Sequence, residues 1–295
     1  MNLKTLGKYK KIDELISEII KELGRLFSEK KPDIVFVQGD TSTALSGALS
    51  AFFNKIPIAH VEAGLRTDNF LSPFPEEANR RIISQISSLH FAPTKLAVDN
   101  LMKNGINKNV FNAGNTVIDS LEWVLKGKQI NILKELSVEE NKYVLVTVHR
   151  RENWGDSIKN ISNSILEIIS QNQGLKFVFP LHKNPLISEP FKKFLGNSKN
   201  VMLIEPLPYL EFICLMKNSY LVLTDSGGVQ EEAATLGKPT VILRNCTERP
   251  EVLSKGNACL VGSDPEKIIV TLNSLLNDKD KYLEMSKKNH DFGDG

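Results

Sequence analysis

Short apolar runs alternate with longer amphipathic stretches along most of the chain. Runs such as 143–148 and 240–243 are brief and rich in β-branched residues, which is typical of buried parallel strands. The stretches between the runs, such as 12–28, carry apolar residues at helical spacing. Because strands alternate with helices, the pattern predicts an α/β fold with parallel sheets and right-handed crossovers.

The predicted elements fall into two series separated by a polar stretch. The predicted strands are 34–37, 57–61, 90–93, 110–114, 143–148, 176–181, 201–204, 220–223 and 240–243. The predicted helices are 12–28, 43–53, one beginning at Glu76, 95–103, 117–125, 158–170, 209–216, one beginning after Ser226, 265–276 and 282–287. Residues 126–141 are rich in Lys, Gln, Asn and Glu and predict a linker. We therefore expect an N-terminal domain at 1–125 and a C-terminal domain at 142–295.

The composition fits a globular protein of about two domains. The chain has 295 residues, 41% hydrophobic and 24% charged, and a formal net charge of +2, which gives no electrostatic case for nucleic acid. No apolar run has membrane-spanning length, and the start at 1–4 does not resemble a signal peptide. The three cysteines are far apart and odd in number, so we expect a reducing cytoplasm and no disulfide framework.

The stretch 220–232 combines a strand, a tight turn and the start of a helix. Ser226 is a good N-cap, and Gly227 and Gly228 allow a ligand to approach the backbone closely. Free N–H groups and the helix dipole favour an anion there, and Glu232, one turn after Gly228, could accept hydrogen bonds from sugar hydroxyls. An ordinary turn followed by a solvated Glu pair explains the same residues, and this stretch alone gives both interpretations equal weight.

Polar side chains cluster where the predicted strands end. They are Asp40, Glu62, His149, His182, Asp225 and Arg244. Ligands of open α/β sheets bind at the carboxyl ends of the strands. Each residue taken singly is an ordinary loop residue, but their joint placement predicts a ligand site.

Two of these carboxylates allow more than one interpretation. Asp40 could act as an acid or base, or it could cap the helix that follows, and the spacing slightly favours the cap. Glu62 follows a largely apolar strand, so an unpartnered carboxylate there would be costly, and we expect it to be paired or functional. His60, two residues earlier on the strand, is expected to be structural.

A helix is predicted to begin at Glu76, after Pro73 and Pro75. Acidic residues in a first turn are expected from the helix dipole alone. Glu76 and Arg80 are also spaced for an i,i+4 ion pair. The two prolines nevertheless stiffen the loop and fix the direction of Glu76.

Basic residues follow three of the later strands. His149 and Arg150 come directly after 143–148, where Arg could bind a diphosphate bidentately and His could assist a leaving phosphate. A solvated loop is the weaker alternative. Arg249 could reach a ribose or phosphate, or could form a surface salt bridge of little energetic value. His182 marks a further basic strand end.

Sequence motifs for common cofactors are missing. No Gly-x-Gly-x-x-Gly fingerprint follows a strand, so NAD is not implied, and no P-loop occurs. Asp40, Glu62 and Glu76 could bind a metal, but no ligand spacing supports it. We therefore expect no cofactor and no metal.

Seven blocks together resemble the non-hydrolysing UDP-N-acetylglucosamine 2-epimerases, in order and spacing along nearly the whole chain. The blocks are Gly39-Asp40-Thr41, residues 60–67 (HVEAGLRT), residues 72–77 (SPFPEE), residues 114–119 (GNTVID), residues 149–152 (HRRE), residues 225–232 (DSGGVQEE) and residues 247–251 (TERPE). The resemblance implies two Rossmann-like domains of the GT-B type with the active site in a cleft between them. It also implies a homodimer without a membrane or nucleic-acid partner.

The resemblance implies interconversion of UDP-GlcNAc and UDP-ManNAc by elimination and re-addition of UDP, which feeds cell-surface polysaccharide synthesis. Matching positions make Asp40, Glu62 and Glu76 the acid/base carboxylates and His149 the residue that assists UDP departure. The substrate would be bound by Arg80, by Ser226, Gly227 and Gly228 at the diphosphate, by Glu232 at the ribose, by Arg249 at the nucleotide, and by main-chain groups of Leu207 and Phe212 at the uracil. Arg150 and His182 match positions implicated in binding a second UDP-GlcNAc as an activator.

Family motifs are missing at both ends of this chain. The family opens with a strand and a Gly-Thr-Arg-Pro-Glu-Ala-Ile-Lys-like phosphate motif, and it closes with a helix after a motif like 291–295. A Rossmann-like half without its first strand exposes a sheet edge and apolar helix faces. We therefore expect this polypeptide alone to be unstable or weakly active.

Three alternatives stay open beside the epimerase. A GT-B glycosyltransferase shares the Gly-Gly and Glu nucleotide clamp, although it would not need three carboxylates at the strand ends of the first domain. A non-catalytic nucleotide-sugar-binding remnant is motivated by the missing phosphate motif. An epimerase of a related UDP-diacetamido sugar would share the same motifs.

Overall fold

The computed structural model describes residues 11–67, 69–127 and 131–295. The chain forms two compact units, residues 1–115 and residues 116–295. The start at 1–4, in which we predict no signal peptide, and residues 128–130 of the predicted linker lie outside the described residues. Among the described helices, none combines the length and the apolar composition that crossing a bilayer requires.

The first unit is a parallel sheet with helices packed on it. Its strands are β1 (Val35–Gln38), β2 (Ile58–Val61), β3 (Leu89–Ala92) and β4 (Val110–Asn112). Its helices are α1 (Ile12–Lys30), α2 (Ser42–Phe53), α3 (Glu76–Ile86) and α4 (Lys95–Lys103). The strands lie side by side in chain order, all parallel.

The chain order of these strands explains where the core of the first unit lies. Right-handed crossovers that always step in one direction put their helices on the same face of a sheet. Val37 and Ile58 accordingly pack with Ala48 of α2 and Ile83 of α3. The opposite face carries a row of stacked rings, Phe36 on Phe91 and Phe91 on Phe111, in which Phe36 is 62% exposed and Phe111 48% exposed.

The second unit is a larger parallel sheet with helices on both faces. Its strands are β5 (Tyr143–Thr147), β6 (Lys176–Pro180), β7 (Val201–Ile204), β8 (Leu221–Thr224), β9 (Thr240–Ile242) and β10 (Ala258–Leu260). Its α-helices are α5 (Thr116–Lys126), α6 (Ile132–Glu135), α7 (Asp156–Gln171), α8 (Pro185–Leu195), α9 (Tyr209–Asn218), α10 (Gly227–Leu236), α11 (Glu251–Ser254), α12 (Pro265–Asn277) and α13 (Lys279–Met285). A short 3₁₀ helix spans Arg151–Asn153.

The strand order in the second unit locates the topological switch point of its sheet. The order β10-β9-β8-β5-β6-β7 is doubly wound: the chain runs outward from β5 in one direction and then from β8 in the other. β5 and β8 are therefore neighbours at a topological switch point, with Thr147 paired to Thr224. Successive residues of β5 point to opposite faces of the sheet. Val144 packs in the core formed with α7 and α12, and Leu145 packs in the core formed with α5 and α9. The carboxyl ends of β5 and β8 open side by side.

The division between units differs from the predicted domain boundary. The compact units divide after Asn115, whereas the sequence places the boundary after 125. Leu121 and Val124 of α5 pack in the core of the second unit. Residues 131–141, expected as linker, contain α6 and bury Ile132 and Val138 in that same core. Because the stretch is mostly polar in composition, its few buried apolar residues did not indicate a packed segment.

Most predicted elements lie within a few residues of their observed bounds, but three α-helices, one strand and the short 3₁₀ helix were not predicted. These three helices and the strand are α6, α8, α11 and β10. Three of them are only three or four residues long, so their periodicity carries too little information. Helix α8 contains Pro190, which interrupts an otherwise helical pattern.

Candidate active site

The loops after β5 and β8 are joined by the carboxylate of Asp225. This side chain is 0% exposed. It accepts hydrogen bonds from the backbone N–H of His149 at 3.1 Å, the backbone N–H of Arg150 at 2.9 Å and the amide of Asn153 at 2.8 Å. Asp225 therefore fixes the path of the chain that carries His149. The sequence predicts that Asp225 lies at a strand end, but it does not predict these hydrogen bonds.

The imidazole of His149 lies between Asp225 and His182. Its Nδ1 is 3.3 Å from Asp225 Oδ1, and its ring stacks on His182 with centroids 6.1 Å apart. Burial lowers the pKa of His149, and the neighbouring Asp225 carboxylate opposes that shift. The ring is therefore neutral at pH 7, with one nitrogen directed at Asp225.

The amino end of α10 offers backbone N–H groups without a side-chain cap. Ser226 is the N-cap, as predicted, but its hydroxyl forms no capping hydrogen bond, and its own N–H donates to Thr224 Oγ1 at 2.9 Å. A Cβ placed on Gly228 would have no atom within 4 Å. Backbone donors with open space beside them are a suitable site for an anion.

Gly227 faces protein, in contrast to Gly228. A Cβ on Gly227 would collide with the guanidinium of Arg249 and lie 3.0 Å from Glu248 Oε1. A side chain at Gly227 would therefore meet protein atoms, whereas the space beside Gly228 is open, and ligand approach to the two glycines stays a prediction.

Arg249 belongs to a buried ion-pair network. It is 5% exposed and pairs with Glu231, and with Glu248 at 2.6 Å. Glu248 also accepts from Arg244 at 2.8 Å and lies 3.8 Å from Arg150 Nη2. The alternative of a surface salt bridge is wrong, because Arg249 and Glu248 are buried. The sequence could not reveal that this loop folds inward.

Glu232 lies on α10, one turn after Gly228, and is 4% exposed. Its Oε1 accepts a hydrogen bond from Tyr209 Oη at 2.6 Å. Burial raises the pKa of Glu232 to about 7, and the hydrogen bond from Tyr209 opposes the rise. The alternative of a solvated glutamate is therefore wrong for Glu232.

A cavity of about 370 Å³ lies beside this edge of the sheet. His149, His182, Leu207 and Phe212 all line it, so the structure brings together four predicted site residues that are distant in sequence. Its volume is in the range of small-molecule sites. A larger cavity of about 500 Å³ lies beside α9, with Val124, Leu210 and Lys217 in its wall, and it contains none of the predicted site residues.

In the first unit, Asp40 is held by an arginine. Thr41, not Asp40, caps α2, with its hydroxyl accepting from Ala44 N–H at 3.1 Å. Asp40 forms an ion pair with Arg80, and its carbonyl accepts from the side-chain amide of Asn79 at 2.8 Å. The capping alternative is therefore wrong, and the Asp40 carboxylate is partly exposed, at 24%.

The neighbours Glu76 and Glu77 differ sharply in environment. Glu77 is 0% exposed and accepts from Thr67 N–H at 2.9 Å, Arg80 at 3.2 Å and Arg81 at 2.6 Å. Glu76 is partly exposed in the first turn of α3, and the expected pair between Glu76 and Arg80 does not form. Glu77 was not among the predicted site residues. Its i,i+4 spacing from Arg81 is the feature of the sequence that indicates this ion pair.

Glu62 and His60 lie at the end of β2. Glu62 has a left-handed backbone, with φ of 65°, and its Oε2 would be 3.4 Å from a Cβ on Gly39. His60 is 0% exposed, and its Nε2 donates to Gly39 carbonyl oxygen at 2.9 Å. Burial lowers the pKa of His60 to about 4, so the ring is neutral and supports the loop that carries Asp40. In the described part of the chain, no group of three or more His, Cys, Asp or Glu side chains is arranged to hold a metal ion.

The chain matches a family model and several known proteins. The family model described as UDP-N-acetylglucosamine 2-epimerase matches residues 1–295. UDP-N-acetylglucosamine 2-epimerase of Bacillus subtilis is 44% identical in an alignment of 296 positions that covers 100% of this chain and 77% of that protein. The protein of the same name from Salmonella typhimurium is 42% identical over 293 residues, 96% of this chain and 78% of its own.

Solved structures agree with the sequence comparisons. The UDP-GlcNAc 2-epimerase of Neisseria meningitidis bound to UDP-GlcNAc is 43% identical, with a TM-score of 0.94 over 99% of this chain and 81% of that one. The UDP-GlcNAc 2-epimerase of Methanocaldococcus jannaschii in complex with UDP-GlcNAc and UDP is 39% identical, with a TM-score of 0.84 over 97% of this chain and 79% of that one. The chain is therefore an epimerase that belongs to the UDP-N-acetylglucosamine 2-epimerase family.

Proposed function

We propose that this chain interconverts UDP-GlcNAc and UDP-ManNAc by eliminating UDP and adding it back. The names of its relatives and the ligand of the Neisseria structure support the proposal. A base removes the C2 proton while the bond between C1 and the UDP oxygen breaks, which leaves a 2-acetamidoglucal and UDP. Return of UDP to C1 and of a proton to the opposite face of C2 gives the epimer.

One observation carries the proposal: Gly228, with open space beside its backbone, lies at the start of α10, which follows β8, and β8 pairs with β5, the strand that precedes His149. The amino end of α10 favours a diphosphate. A diphosphate close to the His149 ring would favour protonation of that ring, whose N–H groups could then stabilise charge on departing UDP. Leu207 and Phe212 border a cavity that suits the uracil, and Glu232 suits the ribose.

The proton transfers are assigned to the first unit. Asp40, Glu62 and Glu76 are its candidate acids and bases, and we propose no order of use among them. Arg80 pairs with Asp40, so we infer that Arg80 serves the substrate by orienting this carboxylate. General acid–base groups contribute roughly 10²- to 10⁴-fold to such reactions.

The remaining assignments concern the nucleotide and the setting of the enzyme. Arg249 is proposed to stabilise the nucleotide site through its packing on Gly227, and Arg150 and His182 to contact a second UDP-GlcNAc that acts as activator. We propose a homodimer in the cytoplasm, where the thiols of Cys214, Cys246 and Cys259 would stay reduced, and a product destined for cell-surface polysaccharide.

Incubation with UDP-GlcNAc in deuterated water tests the reaction. Proton NMR should show UDP-ManNAc forming and deuterium entering C2 of both sugars. Asp40→Asn should slow this exchange by roughly 100-fold or more, while UDP binding, measured by calorimetry, should stay within about threefold. Transfer of the sugar to an acceptor would instead indicate a glycosyltransferase, and binding without exchange a non-catalytic protein. Exchange with a UDP-diacetamido sugar alone would redirect the proposal to that substrate.

A further inference from the structure

Tyr209 connects two parts of the nucleotide site in the second unit. It is the first residue of α9, between Leu207 and Phe212 in sequence, and it is 39% exposed. Its hydroxyl donates to Glu232 Oε1 on α10 at 2.6 Å. The bond therefore runs from the element that borders the uracil cavity to the carboxylate proposed for the ribose.

The hydrogen bond from Tyr209 restricts the orientation of the Glu232 carboxylate. An ionised carboxylate can accept hydrogen bonds at both of its oxygens. With Tyr209 bonded to Oε1, the carboxylate is held in one orientation, and lone pairs remain for two vicinal hydroxyls of a ligand. A hydrogen bond to a charged acceptor also favours the ionised form that such hydroxyls require.

We propose that Tyr209 is a positioning residue, which holds Glu232 ready to accept from the 2′- and 3′-hydroxyls of a ribonucleotide. The inference rests on the proposed function, in which Glu232 binds the ribose of UDP. Tyr209 thereby contributes to the choice of a ribose over a deoxyribose without providing the accepting group itself.

The test compares UDP with 2′-deoxy-UDP by calorimetry. The unmodified chain should bind UDP about tenfold or more tightly than 2′-deoxy-UDP, because the 2′-hydroxyl bonds to a buried charged group. Tyr209→Phe should weaken UDP binding by about tenfold and 2′-deoxy-UDP binding by less, because 2′-deoxy-UDP has only the 3′-hydroxyl contact to lose, so the preference for ribose becomes smaller. Tyr282→Phe is the matched control. It also removes a tyrosine hydroxyl bond, from Tyr282 to Tyr220 carbonyl oxygen at 2.9 Å, and should keep the full preference.

A second comparison separates action through Glu232 from direct contact with the ligand. In a Glu232→Gln background, Tyr209→Phe should have no further effect on the ratio of the two affinities. An independent effect in that background, or an unchanged ratio in Tyr209→Phe alone, would overturn the inference while the proposed function stands. If the unmodified chain fails to bind UDP, the proposed function itself fails, and the inference with it.

Discussion

The guanidinium of Arg249 packs against the backbone of Gly227, in the space where a side chain at that position would begin. Glu248 Oε1 lies 3.0 Å from the same point. The next residue, Gly228, has no atom within 4 Å of its missing Cβ. Two adjacent glycines therefore differ in their surroundings: Gly227 makes room for an ion pair of the protein, whereas the space beside Gly228 is open.

Substituting each glycine with alanine should give opposite effects on stability. Gly227→Ala should lower the free energy of unfolding by about 1–3 kcal/mol, because the methyl group displaces Arg249 from a packed network. Gly228→Ala should raise it by about 0.5–1 kcal/mol, because alanine is the better helix former and the space is open. Urea unfolding of both variants measures the difference.

Gly228→Ala should also weaken UDP binding, by tenfold or more, because its methyl group occupies the space proposed for the diphosphate. Calorimetric titration with UDP checks this expectation. A Gly228→Ala variant that binds UDP as tightly as the unmodified chain would contradict the assignment of this turn to the diphosphate.

Asp225→Asn should change the protonation of His149. The carboxylate of Asp225 raises the pKa of His149 against the effect of burial, so removing its charge should lower that pKa further. NMR titration of the histidine ring signals measures this directly, and epimerisation should slow in parallel.

Asn153→Ala provides the control for this experiment. It removes hydrogen bonds to Asp225 at 2.8 Å and to Leu243 carbonyl oxygen at 3.0 Å but keeps the carboxylate next to the ring. It should cost about 1–3 kcal/mol of stability with little change in the pKa of His149. Equal pKa values in Asp225→Asn and the unmodified chain would mean that Asp225 is only a structural anchor.

Glu76→Gln and Glu77→Gln should separate catalysis from stability. Glu77 is fully buried and accepts from two arginines and one backbone N–H, so its neutralisation should cost about 3 kcal/mol of stability. Glu76 has no such network, so its replacement should change stability by no more than about 0.5 kcal/mol while slowing deuterium exchange at C2. If Glu76→Gln retains full exchange, Glu76 is not an acid or base of the reaction.

His60 should make the chain sensitive to mild acid. Its pKa is about 4 in the folded protein and 6.5 in its unfolded reference, so the unfolded state binds the proton more readily. Stability from the neutral ring is present above pH 6.5 and is lost as pH falls toward 4. Between pH 7.5 and pH 5 this one ring should account for about 2 kcal/mol.

His60→Gln tests the origin of that acid sensitivity. The glutamine amide can still donate to Gly39 carbonyl oxygen but has no proton to gain. Urea unfolding of both proteins at the two pH values should therefore show a smaller loss in the variant, by about 2 kcal/mol. Equal losses would mean that other groups dominate the acid response.

The sequence by itself determined most of the elements and the strand-end positions of the candidate residues. Helical and strand periodicities are local, so α4 and β7 have the bounds that the pattern predicts. The same locality explains the corrections. Whether Glu76 or Glu77 faces the interior, or Gly227 or Gly228 borders open space, depends on what packs against each from elsewhere in the chain.

Only the tertiary structure decided which distant residues meet. Asp225 reaches the loop of His149 across 76 residues because β8 lies beside β5, and no local pattern encodes that strand order. Tyr209 meets Glu232 across 23 residues because α9 and α10 pack on the same face of one sheet. Side-chain spacing along one helix or strand specifies contacts within a turn or two, whereas pairing across a sheet is fixed by the packing of the whole unit.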